Sequence, residues 1–169
     1  MELNYTVTAA QPDDAQRLAA FKSAYVQNRY QGYVSGDLLS HVSCDSFLSP
    51  LSEALNDRRH WADLLCRGEE IVGYTLSALE EDGIGVIEEA LAVADISSEP
   101  KRALMDRTLH DLRSRGCSRI RLWVLRDNLC ARFMIESYGF RAEGQNKIVQ
   151  RGALQFPLTC YSWCFQDRA

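Results

Sequence analysis

Residues 109–128 read LHDLRSRGCSRIRLWVLRDN, and this stretch decides the fold. Its first part closes a helix that opens near Pro100. Met105, Leu109 and Leu112 recur at i, i+4 and i+7, and Gly116 follows the last turn at Arg115. Arg119–Leu125 is then an unbroken strand with apolar residues on both faces, which makes it central and buried. Asn128 begins another helix, which Gly139 ends. Helix, buried strand and helix in direct succession are crossovers between layers.

Upstream, Asn4–Ala9 alternates and is rich in β-branched residues, as an opening strand should be. Pro12-Asp13-Asp14 starts a helix whose apolar positions are Leu18, Phe21, Tyr25 and Val26. A second helical piece follows Ser35, with Leu38, Leu39 and Val42, and Leu51–Leu55 reads as a short helix. Ala62–Cys66, Ile71–Leu79 and Val86–Ala94 form a strand meander, with glycine in each connecting turn. Downstream, Phe140–Gly144, Ile148–Gln150 and Leu158–Phe165 read as strands. These elements together predict one α/β domain over 1–169. Its central sheet is mixed and mostly antiparallel, with helices on both faces.

Composition bounds the function. The chain has 169 residues, 46% hydrophobic and 25% charged, with 4 Pro and 10 Gly. A chain of this length buries about 70% of its unfolded surface, so it needs no staple or metal to hold a core. The values fit a soluble globule and exclude disorder and collagen-like repeats. A net charge of −4 argues against nucleic-acid binding, which needs basic surface. No apolar run approaches the roughly 18–20 residues of a membrane span. The opening Met1-Glu2-Leu3-Asn4-Tyr5 lacks the basic and apolar regions of a signal peptide, so a cytoplasmic location is expected. The six cysteines include no C-x-x-C pair, and with His41, His60 and His110 they form no zinc-ligand spacing. They read as reduced thiols, mostly buried, and no metal site is expected.

The chain resembles the GNAT acetyltransferase superfamily, and within it the branch containing the polyamine acetyltransferase PaiA. The residues that carry the likeness are EEALAVAD at 88–95, the stretch at 109–128, and ARFMIESYGFRAEG at 131–144. FKSAYVQNRYQGYVSGDLL at 21–39 and CRGEEIVGY at 66–74 resemble the branch's opening and its hairpin. The resemblance implies acetyl-CoA held between the fourth and fifth strands, its thioester attacked by a primary amine of a small molecule or peptide. A homodimer is one assembly open to such a chain.

Two departures from the family pattern stand out. The pyrophosphate signature Q/R-x-x-G-x-G/A is replaced by Asp95-Ile96-Ser97-Ser98-Glu99-Pro100-Lys101-Arg102, with no Gly from 86 to 115. The loop is degenerate: Pro100 removes an N–H, and Glu99 sets a negative charge where phosphates are expected. Ser98, Lys101 and Arg102 are the remaining candidates for phosphate contact, and the same residues also read as a plain helix start. The second departure is the acid that returns a proton to the CoA thiolate. The family's Tyr position holds Ile135, and Tyr138 is the substitute, or else a packing aromatic at a helix end. Cys130 in the first helical turn is a further candidate acid, and reads more simply as a buried spectator.

The rest of the family pattern carries over onto matching positions. Leu91 and Val93 would pair through their backbone with the acyl arm, while Asn128 and Ala131 would hold the cofactor. Asn128 is equally a helix cap. Glu89 or Glu88 would be the general base through water, only one of them facing the site because strand side chains alternate. Tyr25, Arg29, Tyr30 and Tyr33 lie in the segment that covers the acceptor. Arg119 and Arg121 share a strand face with Trp123 and should reach the sheet's end or stack on an aromatic. Two functions follow. One is acyl-CoA-dependent N-acyl transfer with acetyl-CoA as co-substrate. The other is a non-catalytic binding module that keeps the fold and has lost loop and acid.

Overall fold

The computed structural model describes residues 4–32, 35–151 and 154–165. Strands β1 (Tyr5–Ala9), β2 (His60–Arg67), β3 (Glu70–Leu79), β4 (Ile84–Ala92), β5 (Arg119–Leu125), β6 (Arg141–Arg151) and β7 (Leu154–Cys164) form one sheet. Their order is β1-β2-β3-β4-β5-β7-β6. β4 and β5 pair in parallel, while β1 with β2, β5 with β7 and β6 with β7 pair antiparallel. The sheet is therefore mixed, as expected. Helices α1 (Ala15–Tyr30), α2 (Gly36–Ser40), α3 (Cys44–Asn56), α4 (Ser98–Ser114) and α5 (Leu129–Ser137) complete the chain.

These elements gather in two compact units. The first comprises Met1–Leu76 and Glu89–Leu109. Here α1 is launched by a capping box between Gln11 and Asp14 with Pro12 in the first turn. Adjacent β2 residues point to opposite faces. Leu64 joins a core with Leu18 and Ala19 of α1 and Leu51 of α3, whereas Leu65 packs with Leu104 of α4 and with Ile96. Helices thus cover both faces of this part of the sheet.

The second unit comprises Ser77–Glu88 and His110–Ala169. β5 pairs with β4 from Ile84 opposite Arg119 to Ile87 opposite Leu122. Gly85 is required there, because a Cβ would stand 2.4 Å from Leu112 Cδ2 and 3.0 Å from Cys117 Sγ. β6 carries an irregularity between Ala142 and Asn146. Gly144, at φ +75°, supplies the left-handed residue within it.

The structure corrects several expectations. α3 begins at Cys44, seven residues before the expected Leu51, with Ser43 and Ser46 capping it. Pro50 inside the helix concealed it, since an interior proline costs about 3 kcal/mol. Phe47, Leu48, Ala54 and Leu55 offset that cost by packing on the core. β4 runs two residues earlier than the expected 86–94, and the two pieces expected at 140–144 and 148–150 are one strand, β6. β5 is buried on one face only: Ile120, Leu122 and Val124 are core, and Arg119, Arg121 and Trp123 are half-buried. Three of the six cysteines, Cys66, Cys117 and Cys160, are buried. Cys44 is half-buried, and Cys130, expected inside, is exposed like Cys164. Tyr33 lies outside the described residues.

Candidate active site

The first unit brings two polar side chains together on Glu89. Strand alternation leaves Glu88 exposed and Glu89 half-buried. The Tyr74 hydroxyl on β3 donates to Glu89 Oε2, and the Lys22 ammonium on α1 donates to Glu89 Oε1. Tyr74 is completely buried, and Phe21 meets it edge-on at 5.9 Å between ring centroids. The Lys22 Nζ also lies 4.8 Å above the centre of the Phe47 ring. Burial, and then the charge and hydrogen bond of Glu89, push the Tyr74 phenol well above its ordinary value of 10.0. It is therefore a permanent neutral donor. Tyr25 stacks obliquely on Phe21 and is also raised, chiefly by burial.

Of the two carboxylates named as base, Glu89 is the half-buried one, and it holds Tyr74 and Lys22. Sequence reading missed Lys22 and Tyr74. The one available signal was FKSAY, a lysine beside the aromatics at helical spacing. Arg29 is exposed and Tyr30 half-buried at the end of α1.

The backbone groups of Val93 and Leu91, which the resemblance assigns to the acyl arm, face β3. The Val93 N–H donates to the Val72 carbonyl at 2.9 Å, so it is committed to β3. Leu91 shares that edge, and its carbonyl lies 2.9 Å from where a Cβ on Gly73 would stand. In a ladder, neighbouring residues address opposite edges. Ala90 and Ala92 therefore present their backbone groups to the other edge of β4, directly after Glu89.

At the start of α4, a cavity of about 950 Å³ is lined by Asn4, Tyr5, Asp95, Ser97, Glu99, Pro100 and Ala103. Asp95 is paired with Arg67 at 3.5 Å, and Glu99 is exposed. Ser98, Lys101 and Arg102 are not among the lining residues, so this cavity presents carboxylates rather than cations. The carboxylates that line the cavity at the start of α4 do not fit a pyrophosphate there.

In the second unit, the Asn128 Oδ1 accepts the Ala131 N–H at 3.1 Å and caps α5. That bond commits the Ala131 amide and leaves the Asn128 NH₂ as its available donor. Ile135 is 3% exposed, a core residue where the family places its acid. Tyr138 is half-buried at the end of α5. Arg119 and Arg121 both pair with Glu143 of β6. The cation over Trp123 is Lys147, 4.0 Å from the ring centre. Among the described residues, no group of His, Cys, Asp or Glu is placed to hold a metal ion. No helix among them is long and apolar enough to cross a membrane.

The fold that these elements build is that of the GNAT acetyltransferases. An acetyltransferase from Thermus thermophilus matches with TM-score 0.67 and 21% identity over 98% of this chain and 100% of that one. The PaiA N-acetyltransferase from Thermoplasma acidophilum, crystallised in complex with coenzyme A, matches with TM-score 0.71 and 12% identity over 96% and 99%. An N-acetyltransferase from Staphylococcus aureus matches with TM-score 0.73 and 10% identity over 95% and 98%. No protein-family model and no curated protein matches the sequence. Identities this low speak for the fold and not for a substrate.

Proposed function

We propose that the protein transfers an acyl group from acyl-CoA, with acetyl-CoA the simplest donor, to a primary amine. The observation that carries this reading is Glu89, a half-buried carboxylate on β4 held by Tyr74 and Lys22 next to the edge residues Ala90 and Ala92. Glu89 takes the proton from the attacking nitrogen, directly or through a water. Tyr74 fixes the orientation of the carboxylate, which is how a base gains its catalytic power. The thioester, when bound, supplies an activated carbonyl. Asn128 offers its side-chain NH₂ to the donor, and Ser98, Lys101 and Arg102 remain candidates for its phosphates only away from the cavity at α4. Tyr138 stays the candidate acid, and Glu88, being exposed, is set aside as the base.

The acceptor is a small-molecule or peptide amine. Lys22 neutralises Glu89, so the cluster carries no net charge to attract a polycation, and a monoamine fits better than a polyamine. A cytoplasmic location and a homodimer fit such an enzyme.

A second reading, a GNAT-fold binding module without catalysis, is favoured by the two carboxylates at the cavity on α4 and by Ile135 in the core. Calorimetric titration with acetyl-CoA, followed by turnover on a broad panel of amines, separates the two. Micromolar binding with amine-dependent release of free thiol supports acyl transfer. Affinity no better than millimolar and no turnover establish the binding module.

A further inference from the structure

Lys22 is a primary amine already resting on the candidate base. Its Nζ contacts Glu89 Oε1, its side chain is only 19% exposed, and the Phe47 ring lies under it. A bound acceptor ammonium would adopt the same arrangement, with a carboxylate to take its proton and an aromatic face to hold its charge. The chain contains three lysines, Lys22, Lys101 and Lys147, against sixteen arginines among its 19 basic residues. Lys101 is half-buried and Lys147 exposed, and neither has a carboxylate partner among the ion pairs of the described residues.

We propose that Lys22 is itself an acyl acceptor, so that the protein acylates its own α1 in cis with an acyl-CoA thioester as donor. The proposal rests on the acyl-transfer reading above. Lys22 gives one ammonium proton to Glu89. Its freed lone pair then forms a C–N bond to the thioester carbonyl carbon as the C–S bond breaks, and the electron pair leaves with sulfur. The second proton leaves nitrogen as the amide forms and goes to the thiolate. The products are Nε-acyl-Lys22, free CoA thiol and a proton held on Glu89. The modified side chain no longer carries a cation, so once Glu89 releases that proton to solvent the cluster changes from neutral to a net charge of −1. That sign favours a cationic amine as the next acceptor, which makes the modification an activating one.

The test compares enzymatic and purely chemical acetylation of the full chain, mapped by mass spectrometry on all three lysines. Without CoA, N-acetoxysuccinimide labels by accessibility, and Lys147 and Lys101 are expected to react ahead of Lys22. With acetyl-CoA the order should reverse. Lys22 is expected to be labelled at least tenfold faster than Lys147, at a first-order rate independent of protein concentration, and more slowly in Glu89→Gln. If acetyl-CoA binds and free amines are acetylated while Lys22 stays unmodified, or is labelled no faster than Lys147, self-acylation is overturned and acyl transfer stands. If acetyl-CoA neither binds nor labels any lysine faster than it does in the urea-unfolded chain, both readings fall together. A rate that rises in proportion to protein concentration overturns the cis assignment.

Discussion

Glu89 in the first unit and Glu143 in the second are both strand carboxylates held by cations, and their partners set them apart. Glu143 faces two guanidiniums, Arg119 and Arg121, and accepts a weak bond from the Cys160 thiol at 3.4 Å. Guanidiniums stay charged at every accessible pH, so this carboxylate keeps its two cations throughout. Glu89 faces one ammonium on a flexible stem and one neutral phenol. An ammonium can surrender a proton and swing away, and the phenol holds the carboxylate in place while it does. A similar composition therefore gives a site suited to proton exchange in one region and a structural clamp in the other.

The largest expected effect tests that distinction directly. Glu89→Gln keeps the shape and removes the base, so kcat/KM for an amine acceptor should fall about 10²–10⁴-fold, the usual worth of a positioned base. Glu143→Gln should leave kcat/KM within about threefold. Steady-state kinetics on both variants at one pH is the check, and equal losses would erase the contrast. Glu143→Gln should instead act on stability. Removing one partner of a buried pair costs about 3–5 kcal/mol, and the 39% and 30% exposure of the two arginine side chains reduces that to about 2 kcal/mol. Urea denaturation of wild type and variant measures it.

Gly73→Ala ranks next and sharpens the account of β4. The new Cβ would meet the Leu91 carbonyl oxygen at 2.9 Å and Ala92 Cβ at 3.1 Å, both on a strand that cannot give way locally. The cost should be about 1–3 kcal/mol, as for other overpacked sites. It should also shift Ala92, and with it the edge assigned to the acyl arm, so KM for acetyl-CoA should rise more than kcat falls. A stability loss with unchanged KM would detach that edge from the site.

The legible part of this molecule was what local pattern controls. The 109–128 stretch gave helix, strand and helix because its apolar spacing and Gly116 act within a few residues. The site was legible only as far as β4: Glu89 was named, with Glu88 as its rival. Lys22 and Tyr74 escaped because their meeting with Glu89 depends on register, across 67 and 15 residues of chain. Register also explains the Val93 amide, since a one-residue shift reverses which edge a backbone group addresses. β5 misled for a related reason. Trp123 reads as apolar in a sequence, yet it sits on the half-buried face with two arginines that Glu143, far along the chain, neutralises.

The smallest expected effect is the alkaline loss of stability, and it separates the buried thiols from the phenol on Glu89 by pH. Burial raises the Cys160 thiol above its ordinary value of 9.0, opposed by Arg121, Arg119 and Lys147, and burial raises the Cys66 and Cys117 thiols likewise. A group with a raised folded value binds its proton more tightly when folded. Its contribution is complete below the unfolded value and falls as pH climbs above it. The thiols should therefore start to lower stability near pH 9, and Tyr74, whose ordinary value is 10.0, about one unit later. Each group can contribute a slope of at most about 1.4 kcal/mol per pH unit within its window. Urea midpoints from pH 8 to 11 under reducing conditions resolve the two onsets. Cys160→Ala should flatten the profile from pH 9, and Tyr74→Phe only above pH 10, where the phenol no longer resists ionisation beside Glu89. A Tyr74→Phe profile parallel to wild type above pH 10 would mean that the phenol is neither buried nor held by Glu89 in solution, and the contrast between the two carboxylates would lose its first-unit partner.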